Sequence, residues 1–216
     1  MIISSDPDYL DTKLVKQGKK HLDPIFQELA DWIYQKFNTK VLNIYYDKID
    51  TDYNRPRLNI IFEYYKDEIK FRDGIGNFDS KKQTPIADKF REMPTNLDTE
   101  RILVIFASFE PVAREEANNK IPQIEIDKLR NELAIKEIWK IYREFSLTTF
   151  FFFTDKQIEY FTNDGTKELI KMKYFELLKK YDEFDYFKSD TYLLSFDSKE
   201  NFDKHFESNW FYYSRR

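Results

Sequence analysis

Apolar residues recur every three to four positions in several stretches of the chain, the spacing that places them on one face of an α-helix. The clearest stretch is 23–37, where Asp23 is a favourable capping residue and Pro24 takes the first helical position. This helix is expected to bury its apolar stripe against a core. Further helices are predicted at 84–92, 110–118, 126–145, 166–181 and 199–206.

Other stretches alternate apolar and polar residues, the period of a strand with one buried face. The alternation predicts strands at 41–49 and 57–65, after which Tyr65–Glu68 is expected to turn the chain into a short partner strand. Two unbroken apolar runs, 102–109 and 148–154, predict central strands that are covered on both faces. Shorter strands are predicted at 69–72, 157–162 and 192–196.

The predicted elements follow the order α-β-β-β-α-β-α-β-β-α-β-α. This order predicts an α+β fold, a mixed, mostly antiparallel sheet of about six or seven strands with helices packed on it. We expect a single domain over 1–216. No repeat of supersecondary size is evident, and we interpret the tetrapeptide Phe-Asp-Ser-Lys, found at 78–81 and 196–199, as a chance recurrence.

Aromatic residues make up 18% of the chain, which favours a packed core over disorder. Cysteine is absent, which excludes disulfides, thiolate nucleophiles and cysteine-ligated zinc and favours a cytoplasmic location. The chain starts without the basic and apolar regions of a signal peptide, and no apolar run approaches the roughly 20 residues that span a bilayer. We therefore expect a soluble protein without a membrane partner.

The formal net charge of −4 argues against general binding to nucleic acid, because such proteins carry a basic balance or a basic stripe. Lys13, Lys16, Lys19 and Lys20 form the best basic cluster, which we interpret as an ordinary solvated face. Acidic residues concentrate instead near the end of the chain, where residues 182–207 hold eight acids against three bases. The negative potential is therefore expected to be local.

Residues that could carry catalysis are few and scattered. His21 and His205 lie far apart and lack the spacing of a zinc site, and 74–76 offers two glycines where a phosphate loop needs more. The triplets 79–81 and 197–199 each place an aspartate two residues before a lysine, as in some metal-dependent nucleases, but composition alone produces such triplets. We assign no catalytic, cofactor-binding or metal-binding residue, and catalysis is disfavoured without being excluded.

The acidic, aromatic C-terminal third is the most distinctive feature of the sequence. Tyrosine and tryptophan bury a large area at small entropic cost and favour the centres of interfaces, while an acidic field steers a basic partner into contact. One alternative is a solvated face over aromatic core residues. The predicted partner-binding residues are Asp182, Glu183, Asp185, Tyr186, Asp190, Tyr192, Asp197, Trp210 and Tyr212.

Three functions fit these observations. The first is a bacterial immunity or antitoxin protein, a compact inhibitor that occludes a basic protein partner such as a nucleic-acid-cleaving toxin. The second is a metal-dependent hydrolase or nuclease built on scattered carboxylates. The third is a structural or scaffold subunit that docks on a copy of itself through the tail 210–213, and the sequence leaves the oligomeric state open.

Overall fold

A computed structural model describes residues 3–190, 192 and 194–215, with Thr51 described in its backbone alone. The chain divides into two compact units, unit 1 (Met1–Val112) and unit 2 (Ala113–Arg216). The single domain expected over 1–216 stays a prediction. The boundary falls within helix α5 (Phe109–Lys120).

Unit 1 consists of helices and a three-stranded sheet, followed by the start of α5. In order, its elements are α1 (Pro7–Lys16), α2 (Pro24–Phe37), β1 (Val41–Ile49), β2 (Arg55–Phe62), α3 (Tyr65–Glu68), α4 (Ser80–Glu92) and β3 (Leu103–Ser108). Short 3₁₀ turns occupy Asp50–Asp52 and Ile69–Phe71.

Unit 2 continues from α5 with the same alternation of elements. It contains α6 (Gln123–Leu133), β4 (Ile138–Glu144), β5 (Leu147–Phe152), α7 (Asp155–Asn163), α8 (Thr166–Lys179), β6 (Leu194–Ser198), α9 (Lys199–Phe206) and α10 (Trp210–Tyr213).

The α+β class is confirmed, but the strands form two separate sheets of three instead of one sheet of six or seven. The first sheet has the order β1-β2-β3 and the second the order β4-β5-β6. In each, the first two strands pair antiparallel and the last two pair parallel. A parallel pair needs a long crossover to bring the chain back to the same end of the sheet, and here helices supply it.

The two sheets also share their register, so the repeat that was not evident in the sequence exists in the structure. Phe62 pairs with Ser108 at the end of β2 and β3, and Phe152 pairs with Ser198 at the end of β5 and β6. Each first strand carries an irregularity opposite the end of its central strand, between Val41 and Asn43 in β1 and between Ile138 and Lys140 in β4. The two units thus repeat one topology with little shared sequence.

Both faces of each sheet are covered. In unit 1, α2 and α4 pack on the face that carries Ile60 and Phe62, and α1 lies on the other face, where Asn43 and Asn59 bond to it. In unit 2, α6 and α8 pack on the face of Phe150 and Phe152. The opposite face, that of Phe151, meets α9 and α10.

Many predicted elements are confirmed within a few residues, among them α2, β1, α8 and α9. Five predictions are wrong. Tyr65–Glu68 is a helix and 69–71 a 3₁₀ turn, and both belong to the crossover to β3. Residues 126–145 form the end of α6 and strand β4 instead of one helix, 157–162 is helical in α7, and 102–109 supplies an edge strand instead of a central one.

Candidate protein-binding surface

The nine predicted binding residues do not form one patch. Tyr192 packs with the core of the α6 and α8 face, next to Tyr174 and Phe187. Trp210 packs on the opposite face of the same sheet, against Phe151. Because successive residues of β5 point to opposite faces, the sheet itself separates these two groups.

The acids that follow α8 are largely engaged in local structure. Asp182 has a side chain only 3% exposed, accepts hydrogen bonds from the backbone N–H groups of Tyr186 and Phe187, each at 3.0 Å, and pairs with Lys179. Asp185 is exposed but forms ion pairs with Lys179 and Lys188. These two lysines neutralise much of the negative charge that the sequence places here.

The remaining predicted residues of this segment have different environments. Glu183 and Asp190 are exposed, whereas Tyr186 is buried. Tyr192 is mostly buried, and its hydroxyl oxygen has no hydrogen-bond partner within the described residues. Burial raises the pKa of Tyr192 well above that of a free tyrosine, so the phenol stays neutral.

Three predicted residues belong to the α9 and α10 face. Asp197 accepts hydrogen bonds from the Tyr213 hydroxyl at 2.6 Å and from Asn201 at 2.8 Å, which fastens α10 to the end of β6. Trp210 stacks on Tyr142 with ring centroids 4.3 Å apart. Tyr212 is the exposed member, and its ring is available to a partner.

The most unusual backbone on this face is the turn between β4 and β5. Glu144 pairs with Leu147, which leaves Phe145 and Ser146 as a two-residue loop. Phe145 has φ of 51°, in the left-handed region, and its side chain is 60% exposed. Tight hairpins often need positive φ, but glycine, asparagine or aspartate normally supplies it, because a bulky side chain is disfavoured there.

A buried polar network holds this turn. The Asn118 side chain, from α5, donates to the Phe145 carbonyl oxygen at 3.0 Å. Its own carbonyl oxygen accepts from the hydroxyls of Thr148 and Tyr174 at 3.2 and 2.8 Å. All three side chains are almost fully buried. Buried hydrogen bonds therefore hold the β4–β5 loop that carries Phe145 in place.

A pocket of about 210 Å³ opens beside the loop. Aromatic and aliphatic side chains form part of its wall, and Glu144 is the one charged side chain among the lining residues. Pockets for drug-sized ligands are larger, about 300–1,000 Å³. This pocket suits a single side chain. It is lined by Tyr142, Glu144, Phe145, Ser146, Leu147, Thr149, Tyr213 and Ser214.

Glu144, Phe145 and Leu147 were not among the predicted binding residues. Their surroundings fit a helical stripe, and the loop lacks glycine and asparagine, the usual marks of a two-residue hairpin. The available signal was the pair of β-branched residues Thr148 and Thr149, which follow at once and favour a strand.

The candidate catalytic residues have structural roles. Asp79 caps α4 by accepting from the Lys81 backbone N–H at 2.9 Å. Lys199 pairs with Asp203 while Asp197 binds Tyr213, so the second acid–lysine triplet is also internally engaged. Over the described part of the chain, no group of three or more histidine, aspartate or glutamate side chains is arranged to hold a metal ion.

The basic cluster near the N-terminus is partly ion-paired. Lys16 binds Glu63 at 2.6 Å and Lys20 binds Asp11 at 2.6 Å.

No helix among the described residues has the length and apolar character needed to cross a membrane. Comparison with family models, with curated proteins and with solved structures gives no match to this chain.

Proposed function

We propose that the chain is a non-catalytic protein-binding module that occludes a basic protein partner, in the manner of an immunity or antitoxin protein bound to a nucleic-acid-cleaving toxin. The observation that carries this proposal is the β4–β5 loop, where an exposed phenylalanine is held in a left-handed conformation. Strained residues that persist in a well-determined environment concentrate at functional sites.

The energetics of Phe145 favour a role in binding over a role in folding. The left-handed conformation costs about 1–2 kcal/mol for a residue with a side chain. A ring that is 60% exposed recovers little of this through burial. Aromatic residues with few rotatable bonds are, however, effective interface anchors, and a rigid loop lowers the entropy lost on association.

A basic partner is favoured by the charges at this site. Glu144 lines the pocket beside Phe145 and is half-buried. A carboxylate with reduced access to water interacts more strongly with a cation than a fully solvated one. The overall charge of −4 adds a weak attraction at long range.

The proposal is tested with Phe145→Asn, because asparagine accepts the left-handed backbone better than phenylalanine. We expect this variant to bind the partner at least about tenfold more weakly, as loss of an anchor does. The same variant is expected to be more stable by about 1 kcal/mol, or about 2–4 °C in Tm, because the strain is relieved.

The measurement is capture of partners from a native extract, followed by calorimetry with the purified partner and by thermal unfolding of each variant. Tyr160→Ala is the matched control, since Tyr160 is an equally exposed aromatic residue on α7. The proposal fails if Phe145→Asn binds the purified partner as tightly as the unmodified chain does.

The predicted acidic residues are best tested at Asp190, which is exposed. We expect Asp190→Lys to slow association and to reduce the salt dependence of binding, because exposed charges act mainly on the rate of encounter. Asp182 is unsuited to this test, because its buried carboxylate supports the backbone of 186–187.

Self-association through α10, seen as a doubled mass in light scattering, would favour the scaffold function instead.

A further inference from the structure

We infer that the pocket beside the β4–β5 loop receives an arginine side chain of the partner, in the position that Arg57 occupies in unit 1. This inference rests on the proposed function, because it identifies the group by which a basic partner is recognised. It comes from comparing equivalent positions in the two sheets.

The shared register sets these equivalences. Val41 pairs with Phe62 in unit 1, and Ile138 pairs with Phe152 in unit 2. Phe62 is therefore equivalent to Phe152, and Val41 is equivalent to Ile138. Counting along the strands places four lining residues of the pocket at four positions on the face of the unit 1 sheet that carries Asn43 and Asn59. Tyr142, Glu144, Leu147 and Thr149 correspond to Tyr45, Asp47, Arg57 and Asn59.

In unit 1, the acid at this position holds an arginine. Arg57 pairs with Asp47 across the strands and bonds to it through two nitrogens, with Nε 2.8 Å from Oδ1. Both side chains are about two-thirds withdrawn from solvent. The hydrogen bonds to Asp47 raise the pKa of Arg57 above its usual value.

In unit 2, the acid is kept and the arginine is replaced. Glu144 stands where Asp47 stands, but its cross-strand neighbour is Leu147. In the described part of the chain, no hydrogen bond or ion pair engages the Glu144 carboxylate. Leu147 and Glu144, at the positions of Arg57 and Asp47, both line the open pocket in unit 2.

The remaining lining fits a guanidinium better than an ammonium group. Tyr142, Phe145 and Tyr213 are among the lining residues, and planar cations interact favourably with aromatic rings. Ser146, Thr149 and Ser214 also line the pocket, and a hydroxyl oxygen can accept hydrogen bonds from a guanidinium. Arginine presents five N–H donors in a fixed plane, whereas lysine presents one compact charge that holds its water more strongly.

The test uses N-acetyl-arginine amide as the probe and follows backbone amide resonances of the full chain by NMR. Its neutral analogue, N-acetyl-citrulline amide, has nearly the same shape and serves as the ligand control. We expect saturable shifts at 142–149 and 213–214 with the arginine derivative, and binding at least about tenfold weaker with the citrulline derivative.

Two reciprocal variants use unit 1 as a guide. Leu147→Arg recreates the Asp47–Arg57 pair with Glu144 and is expected to fill the pocket from within, abolishing probe binding. Arg57→Leu frees Asp47 and is expected to create a second binding site with shifts near Tyr45. Glu144→Gln, which changes only a charge, is expected to weaken probe binding by about tenfold.

Equal binding of both derivatives, or undiminished arginine binding by Leu147→Arg and Glu144→Gln, would overturn the arginine assignment. That result leaves the proposed function intact if Phe145→Asn still loses a purified partner. Conversely, saturable binding of the arginine derivative supports the pocket even if no basic protein is captured.

Discussion

Two aromatic residues occupy backbone conformations that seldom accept them. Tyr53 has φ of 50° and Phe145 has φ of 51°, and each lies in the loop after the first strand of its sheet. Tyr53 is 93% exposed, so burial contributes almost nothing to offset its backbone cost. The loops differ in length and sequence, and the recurrence of an exposed aromatic side chain at both places favours a role in contacts outside the chain.

Asp185 permits a prediction about pH. Hydrogen bonds from Lys179, and then from Lys188, lower the pKa of its carboxyl from 3.8 to about 2. Since the pKa is lower in the folded state, the pair contributes stability above pH 4, and this contribution is lost as the pH falls from about 4 to about 2. Asp185→Asn should therefore be less stable than the unmodified chain at pH 6, and the difference should shrink as the pH falls from about 4 to about 2.

Urea unfolding at several pH values measures this difference, and NMR titration of the carboxyl measures the pKa directly. Asparagine suits the position because Asp185 has φ of 59°, a conformation that both residues tolerate. A gap between the two proteins that stays constant from pH 6 to pH 2 would contradict the prediction.

In the segment that follows α8, the type of a residue was a poor guide to the exposure of its side chain. The sequence shows that Asp182 and Asp185 are acidic but not that Lys179 lies beside both of them. It also does not show that Asp182 turns inward to the backbone of 186–187. These contacts depend on the path of the chain after α8, which local patterns do not encode.

At the level of elements, periodicity succeeded where packing agrees with local preference. Helix α2 has Pro24 in its first turn and an apolar stripe, and it forms as expected, although the Asp23 side chain makes no capping hydrogen bond to it. Strand β4 shows the opposite case, because Ile138, Ile141, Tyr142 and Phe145 fit a helical stripe equally well. Pairing with β5 decides the outcome for β4, and such pairing is a long-range effect.

A local signal was also overlooked in α7. Thr154 accepts from the backbone N–H of Gln157, whose side chain in turn accepts from the backbone N–H of Thr154. This capping box can be recognised in the sequence as threonine followed three residues later by glutamine. It outweighs the alternation of Ile158, Tyr160 and Thr162, which favoured a strand.

The hydrogen bonds of the Asn118 side chain should hold the β4–β5 loop in its conformation. Asn118→Ala removes the partner of the Phe145 carbonyl oxygen and leaves the buried hydroxyls of Thr148 and Tyr174 short of an acceptor. We expect a loss of about 1–3 kcal/mol in the free energy of unfolding. We also expect faster amide hydrogen exchange at 145–149.

The control for this prediction is Asn119→Ala, the neighbouring residue, which is exposed on α5. Chemical denaturation gives the stability of both variants, and hydrogen exchange locates the change. Equal stability of the two variants would show that the buried network does not hold the loop.

For the whole molecule, the repeated topology explains features that looked unrelated along the chain. Ser108 ends β3 and donates to Glu68 at 2.6 Å, while Ser198 ends β6 and donates to Asp155. Both carboxylates belong to the first helix after the central strand. Each unit therefore ties the start of its crossover to the end of its parallel strand in the same way.

The repeat is not visible in the sequence because only a few equivalent strand positions of the two units carry the same residue. Among them are Ile44 with Ile141, Phe106 with Phe196, and Ser108 with Ser198. Apolar positions tolerate exchange among residues of similar size, so core residues can diverge while the register persists. The repeat is recognisable from strand pairing and is too diluted to be found from residue identity.

The equivalent serines Ser108 and Ser198 differ in one respect. Besides its bond to Asp155, Ser198 accepts from the Asn201 backbone N–H at 2.8 Å and so caps α9. In the described part of the chain, the Ser108 side chain accepts no such backbone hydrogen bond, and α5 follows β3 directly. We expect Ser108→Ala to cost about 1–2 kcal/mol of unfolding free energy and Ser198→Ala to cost about 1 kcal/mol more, the usual value of an N-cap. Ser195→Ala on β6 is the control, and urea unfolding that gives equal losses for Ser108→Ala and Ser198→Ala would contradict the separate role of the cap.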